Sequence, residues 1–206
     1  MSELIGILPH NIDQRKIAEL VAALKKGKII IVPTDSIYAI AGDLNHRSVL
    51  DKISRLTDKK ANKIKLSILC KDLSNLSYYT HQIDNDTYKL MNRLLPGPFT
   101  FVLKASNNVP KIFRQNKKTI GIRVPDNAIV QAIIEELGNP LVSTSIHSEN
   151  EIQTYLTEIE EIYEAWGSKV DYIVDGGTGG NVGSTVIDAS GDEMVLLREG
   201  KGAELL

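Results

Sequence analysis

Apolar residues at Ile17, Leu20, Val21 and Leu24 recur at the spacing of one helical face, predicting a helix over 13 to 26 with Lys25 and Lys26 in its last turn and Gly27 as its cap. The pattern then changes period. Lys28-Ile-Ile-Ile-Val32 is continuously apolar and β-branched, as in a strand covered on both faces, and it stops at Pro33-Thr34-Asp35-Ser36. Asn45 is placed to cap a second helix carrying Val49, Leu50, Ile53 and Leu56, after which a lysine-rich segment leads into a strand from Leu66 to Cys70. Asp84 opens a helix with Tyr88, Met91, Leu94 and Leu95 on one side, ended by Pro96-Gly97-Pro98, and Phe99 to Lys104 reads as a strand.

Two further strands are predicted at Lys118 to Pro125 and Leu141 to His147, joined by a helix over 127 to 137 that Gly138 and Asn139 close. That connection is long enough for a parallel crossover, so the two strands are expected side by side. Ligands of open α/β sheets bind at the carboxyl ends of strands. Thr119, Arg123, Ser143, Thr144 and Ser145 are therefore expected to wall one polar pocket, with a guanidinium beside hydroxyls suited to an anion. Past His147 a helix is predicted from about 158 to 166, then short strands at Tyr172 to Val174, Thr185 to Asp188 and Val195 to Arg198, too close together for helices between them and so expected antiparallel. The sum is one mixed α/β domain over 1–206, a twisted open sheet with flanking helices.

Composition adds limits. With 42% hydrophobic and 24% charged residues the chain is ordinary globular protein, and a net charge of -2 gives no bulk attraction to nucleic acid. The charges are unevenly placed, however. Lys59, Lys60, Lys63, Lys65 and Lys71 form one basic run, and Lys111, Arg114, Lys117, Lys118 and Arg123 another. Cys70 is the single cysteine, which excludes an intrachain disulfide and points to a reducing, cytoplasmic location. No membrane-spanning stretch and no signal-peptide pattern are expected from the sequence.

Several motifs have plain readings. Gly176 to Gly183 lacks both the Lys-Ser/Thr ending of a P-loop and a following helix, so it reads as a glycine-rich turn joining strands. The four histidines and one cysteine do not fall at metal-ligand spacing, and no structural metal is expected. No Gly-x-Ser-x-Gly elbow surrounds Ser143 or Ser145, which disfavours a serine hydrolase using His147. Thr34 is equally readable as a turn hydroxyl or a ligand contact, and Arg198 as an edge-strand charge or a site residue.

Taken in order, Pro33-Thr-Asp-Ser-Ile-Tyr38, Leu69-Cys-Lys-Asp-Leu-Ser-Asn-Leu76, Pro96-Gly-Pro-Phe-Thr-Phe-Val-Leu103, Lys118 to Pro125 and Ser143-Thr-Ser145 resemble the YrdC/YciO family, on its YciO-like side. The resemblance implies a twisted sheet around a basic concave groove with affinity for nucleotide and for double-stranded RNA or tRNA. The family's enzymes are L-threonylcarbamoyladenylate synthases. They combine L-threonine, bicarbonate and ATP with Mg2+, release pyrophosphate, and feed tRNA threonylcarbamoyladenosine modification. By resemblance, Thr34, Arg123 and Ser143 match threonine-binding positions, and Lys59, Lys63, Thr119, Ser145, His147 and Arg198 nucleotide-binding ones.

Two motifs depart from the enzymes' pattern. Thr57-Asp58-Lys59 stands where they carry Lys-x-Arg, and Ser145-Ile146-His147 where they carry Ser-x-Asn, with Lys60, Lys63 or Lys65 able to restore a cation by position. Losing an Arg fork and an amide weakens transition-state binding. The alternative expectation is therefore a non-catalytic module of the same fold that binds double-stranded RNA, tRNA or rRNA.

Overall fold

Asp13 caps the first helix, α1 (Gln14–Lys25), by accepting the Arg15 amide, and the face that it buries carries the Ile17, Leu20, Val21 and Leu24 of the apolar pattern. A computed structural model describes residues 1–57, 65–110, 118–146 and 155–206. Within these, the other helices are α2 (Val49–Leu56), α3 (Leu76–Tyr79), α4 (Asn85–Leu94), α5 (Ala128–Leu137) and α6 (Ile159–Trp166). Asp84 caps α4 through the Asp86 and Thr87 amides, and Asn127 caps α5 through those of Ile129 and Val130. Gly138 ends α5 at φ 77°, the left-handed conformation that favours glycine.

Among the described residues ten strands form one mixed sheet: β1 (Glu3–Gly6), β2 (Ile30–Val32), β3 (Ala39–Asp43), β4 (Ser67–Leu69), β5 (Phe99–Lys104), β6 (Thr119–Arg123), β7 (Leu141–Ser145), β8 (Tyr172–Asp175), β9 (Thr185–Asp188) and β10 (Val195–Arg198). Their order is β1-β8-β2-β3-β7-β4-β6-β5-β9-β10.

This order corrects three expectations. First, β6 and β7 are not neighbours, because β4 lies between them, parallel to β6 and antiparallel to β7, so α5 is not a parallel crossover. The other edge of β7 is taken by β3, whose Ala-Ile-Ala-Gly-Asp sequence is too rich in small residues to announce a strand. Second, β8 inserts between β1 and β2, parallel to both, so of the last three strands only β9 and β10 pair antiparallel with each other. Third, Asn45 does not cap α2. Ser48 stands there without a side-chain bond, while the Asn45 amide donates to Asp43. On α4, Thr87 is buried and Tyr88 exposed.

The core divides by sheet face. Ile31, Ile40, Ile68, Phe101, Ile120, Ile122 and Val142 share one apolar cluster with residues of α2, α4 and α6. Val32, Ala41, Leu69, Leu141 and Val174 belong to a second, beneath α1 and α5.

Candidate functional site

Side chains two apart on a strand share a face. Leu141, Ser143 and Ser145 therefore lie on the second face, as do Leu69 with Ser67 and Ala41 with Ala39. Where α1 and α5 cover this face it is apolar. Further along the same strands it becomes small and hydroxylic, and there a cavity of about 270 Å³ opens. Its lining includes Lys65, Ser67, Thr100, Thr119, Gly121, Arg123, Ser143, Ser145, Asp188 and Arg198. The expected location at strand ends is thus corrected to the face of the sheet. Arg123 and Ser145 are each the last residue of their strand, but because β7 runs opposite to β6 they lie at opposite ends of the sheet, and both line the same hollow.

One row crosses the floor. Ser143 pairs with Ser67, Ser67 with Gly121, Gly121 with Val102, and Val102 with Asp188. Those four strand steps span about 19 Å at the usual spacing. Gly121 keeps the middle of the row open, since a Cβ there would stand 2.7 Å from Ser67 Oγ and 3.1 Å from Thr100 Cγ2.

Arg123 is the most constrained member of the site. It is buried, and its Nη2 donates to Asp35 Oδ1 at 2.8 Å and to Ser36 Oγ at 3.0 Å. Burial pulls its pKa below the ordinary arginine value, Asp35 opposes the shift, and nearby Arg198 adds to it. Arginine nevertheless keeps its proton in proteins. Arg123 Nε is buried and has no hydrogen-bond partner among the described residues. An unpaired charged donor costs free energy that an anionic ligand can return.

Asp35 is itself held from other sides: Oδ2 accepts the Asp126 amide and its carbonyl accepts Lys201 Nζ. Thr34 is not in the cavity lining. Its hydroxyl donates to the Ile37 carbonyl at 2.7 Å and accepts the Ser36 amide, which places it one residue behind Arg123. The glycine-rich segment joins β8 to β9, as the sequence suggests, and packs on this same loop. A Cβ on Gly180 would sit 1.8 Å from the Ser36 carbonyl oxygen. Tyr38 OH ties the segment down by donating to the Gly177 carbonyl and accepting the Gly176 amide, and burial pushes its pKa up to about 12.

Arg198 is fixed by Ser184, donating from Nε to its carbonyl at 2.9 Å and from Nη2 to its hydroxyl at 3.1 Å. Ser184 Oγ in turn lies 2.8 Å from Thr100 Oγ1. The structure thus brings together Thr119, Arg123, Ser143, Ser145 and Arg198, and adds Lys65 from the basic run. Lys59, Lys60, Lys63 and His147 lie outside the described residues. Thr57 is the C-cap of α2 and returns its hydroxyl to the Ile53 carbonyl. Sequence reading missed Ser67, Thr100, Gly121, Ser184 and Asp188. The signal was present, since Ser67 and Thr100 each interrupt an apolar strand at one alternate position. Among the described residues no three His, Cys, Asp or Glu side chains are grouped to hold a metal, and no helix is long and apolar enough to cross a membrane.

The Sua5/YciO/YrdC family model, described as telomere recombination, matches residues 22–200. YciO of Escherichia coli (strain K12) is 38% identical over 98% of this chain and 97% of its own. A putative threonylcarbamoyl-AMP synthase of Methanocaldococcus jannaschii is 32% identical over 97% of this chain and 93% of its own. The crystal structure of E. coli YciO superposes with a TM-score of 0.91 and 38% identity, covering 98% of this chain and 97% of that one. That of P. abyssi Sua5 complexed with L-threonine gives 0.87 and 26% identity, over 97% of this chain and 58% of that one. The family model across residues 22–200, with a relative 38% identical over nearly the whole chain and a matching crystal structure, establishes that the chain belongs to the Sua5/YciO/YrdC family.

Proposed function

We propose that the cavity binds L-threonine and ATP and that the protein forms threonylcarbamoyl-AMP. The observation that carries this reading is the buried Arg123, whose guanidinium lines a hydroxyl-rich hollow with one donor unpaired. The threonine carboxylate takes that donor, with Ser143 beside it and Thr34 supporting the Ser36 contact from behind. The nucleotide lies across Thr119, Ser145, Lys65 and Arg198.

In the reaction, the threonine amine and bicarbonate condense to a carbamate with loss of water. A carbamate oxygen then attacks the α-phosphorus, the bond to the bridging oxygen breaks, and pyrophosphate leaves. Fixed cations and hydroxyls hold the reactants in line and balance the charge of the leaving group. The donor set fits Mg2+ carried in by the triphosphate, since that ion keeps several waters and takes few protein ligands. Lys65, Thr119 and Ser145 would receive the triphosphate beside it.

The test is pyrophosphate release from ATP, Mg2+, L-threonine and bicarbonate. Release that requires threonine is expected, and release that ignores threonine, or none, overturns the reading.

A second reading, structured RNA as a partner, is favoured by exposed Lys65, Lys104 and Lys118 at one end of β4, β5 and β6. The centres of the two basic runs lie outside the described residues. RNA affinity that falls steeply with salt, less steeply once these three lysines are alanine, is its expected signature.

A further inference from the structure

In the proposed site Arg123 takes threonine and Arg198 the nucleotide, and one lysine outside the cavity ties their supports together. Arg198 and Lys201 grip the same short stretch of chain. Arg198 donates to the Ser184 carbonyl and hydroxyl, the Lys201 amide donates to the Gly183 carbonyl at 2.8 Å, and the Lys201 carbonyl accepts the Thr185 hydroxyl at 3.0 Å. The pairing of β10 with β9 slips between Leu196 and Arg198, so Leu197 and Arg198 both line the cavity, and Lys201 comes to lie beside Ser184. From there the exposed Lys201 side chain donates from Nζ to the Asp35 carbonyl at 2.5 Å, joining residues 166 apart. Asp35 Oδ1 and Ser36 Oγ are the two acceptors of Arg123 Nη2. One continuous set of contacts thus runs from Arg198 through Ser184 and Lys201 to Asp35 and Arg123.

We propose that Lys201 is a positioning residue that couples the two halves of the site, so that threonine and ATP each raise the other's affinity. The inference rests on the binding reading above and adds an interaction between its two ligands. Lys201 is not in the cavity lining, so it acts through Asp35 and Ser184 and not by touching either ligand. Threonine on Arg123 restrains the loop of Asp35 and Ser36, Lys201 carries that restraint to Gly183, Ser184 and Thr185, and Arg198 is then already set for the nucleotide. The entropy of ordering this strap is lost once, for whichever ligand binds first. Charge acts the other way, since a carboxylate on Arg123 weakens the positive field that the phosphates meet. A gain in affinity therefore belongs to the strap.

Calorimetry with Mg2+ measures the affinity of α,β-methylene ATP, whose α–β link cannot break, with and without saturating L-threonine, and that of threonine with and without the analogue. In the parent protein each ligand is expected to tighten the other about fivefold or more, by the same factor in both directions, as linkage requires. Lys201→Met and Lys201→Gln bring that factor to one or below, and Lys201→Arg, which keeps a long cationic donor, retains most of it. Because the factor compares two titrations of one variant, the general loss of a positive charge cancels from it. A factor of one or less in the parent protein, or an undiminished factor in Lys201→Met and Lys201→Gln, overturns the coupling and leaves the binding reading standing. A lowered thermal midpoint with an undiminished factor assigns Lys201 to stability alone and overturns it equally. Failure of the parent protein to bind either ligand overturns both.

Discussion

Arg123 and Asp35 form an ion pair at 2.8 Å with both side chains less than a tenth exposed, although the strand that leads to Asp35 and the strand that carries Arg123 are separated by three others. The pair fastens the loop between β2 and β3 to the end of β6. Removing one partner of a buried pair strands the other charge and costs about 3–5 kcal/mol. Asp35→Ala is accordingly expected to lower unfolding stability by that order in urea titration. Asp35→Leu with Arg123→Met should recover much of the loss, because no lone charge remains. A loss below about 1 kcal/mol for Asp35→Ala, the range of exposed pairs, would contradict the buried pairing.

Gly121 tests the floor. Its missing Cβ is what lets Ser67 and Thr100 close on β6 from either side. Gly121→Ala overpacks that contact and is expected to cost about 1–3 kcal/mol. Threonine and nucleotide affinities should fall together, since the row runs under both. Calorimetry that shows loss of only one ligand would place the other away from the floor.

The parts visible in the sequence were those with local causes. α1 and α5 announce themselves by apolar spacing, by Asp13 and Asn127 at their starts and by glycine at their ends. β5 and β6 are apolar enough to read directly. β3 is not, and without it the neighbours of β7 are misassigned. The site shows the same division. Thr119, Arg123, Ser143, Ser145 and Arg198 are readable as polar residues on buried strands, but the hollow that unites them depends on strand order and twist. The Asp35 to Arg123 contact joins residues 88 apart, and a one-residue bulge decides which way Leu197 points. Neither leaves a local trace.

Ser184 links Thr100 to Arg198 through a single hydroxyl. In Ser184→Ala the Arg198 Nε bond to the backbone carbonyl survives, while Nη2 and the Thr100 hydroxyl lose a partner. About 1 kcal/mol of stability should be lost, the usual scale of one hydrogen bond. Nucleotide affinity should fall several-fold with threonine affinity preserved. Ser184→Thr keeps the hydroxyl and should restore most of it. An Ala variant that binds ATP like the parent protein would mean that Arg198 needs no such anchor.

Cys70 gives a pH prediction. Its thiol is buried, and burial, aided by Asp72, pushes its pKa from 9.0 up to about 12. Burial likewise raises Tyr38 and Tyr79 from 10.0 to about 12. A folded-state pKa above the unfolded one means that the folded chain holds its proton longer. The associated stability is complete below the unfolded pKa and is lost as pH rises toward the folded one. For Cys70 that window runs from pH 9 to about 12. Between them the slope approaches about 1.4 kcal/mol per pH unit for one fully linked group. Urea midpoints should therefore decline from pH 9 upward in the parent protein but only from about pH 10 in Cys70→Ala, where the raised tyrosines and the ion-paired Lys28 and Lys71 remain. In the native protein at pH 8 a thiol reagent should label Cys70 far more slowly than in urea. Labelling at the same rate in both would show that the thiol is open to solvent and would remove Cys70 from the alkaline window.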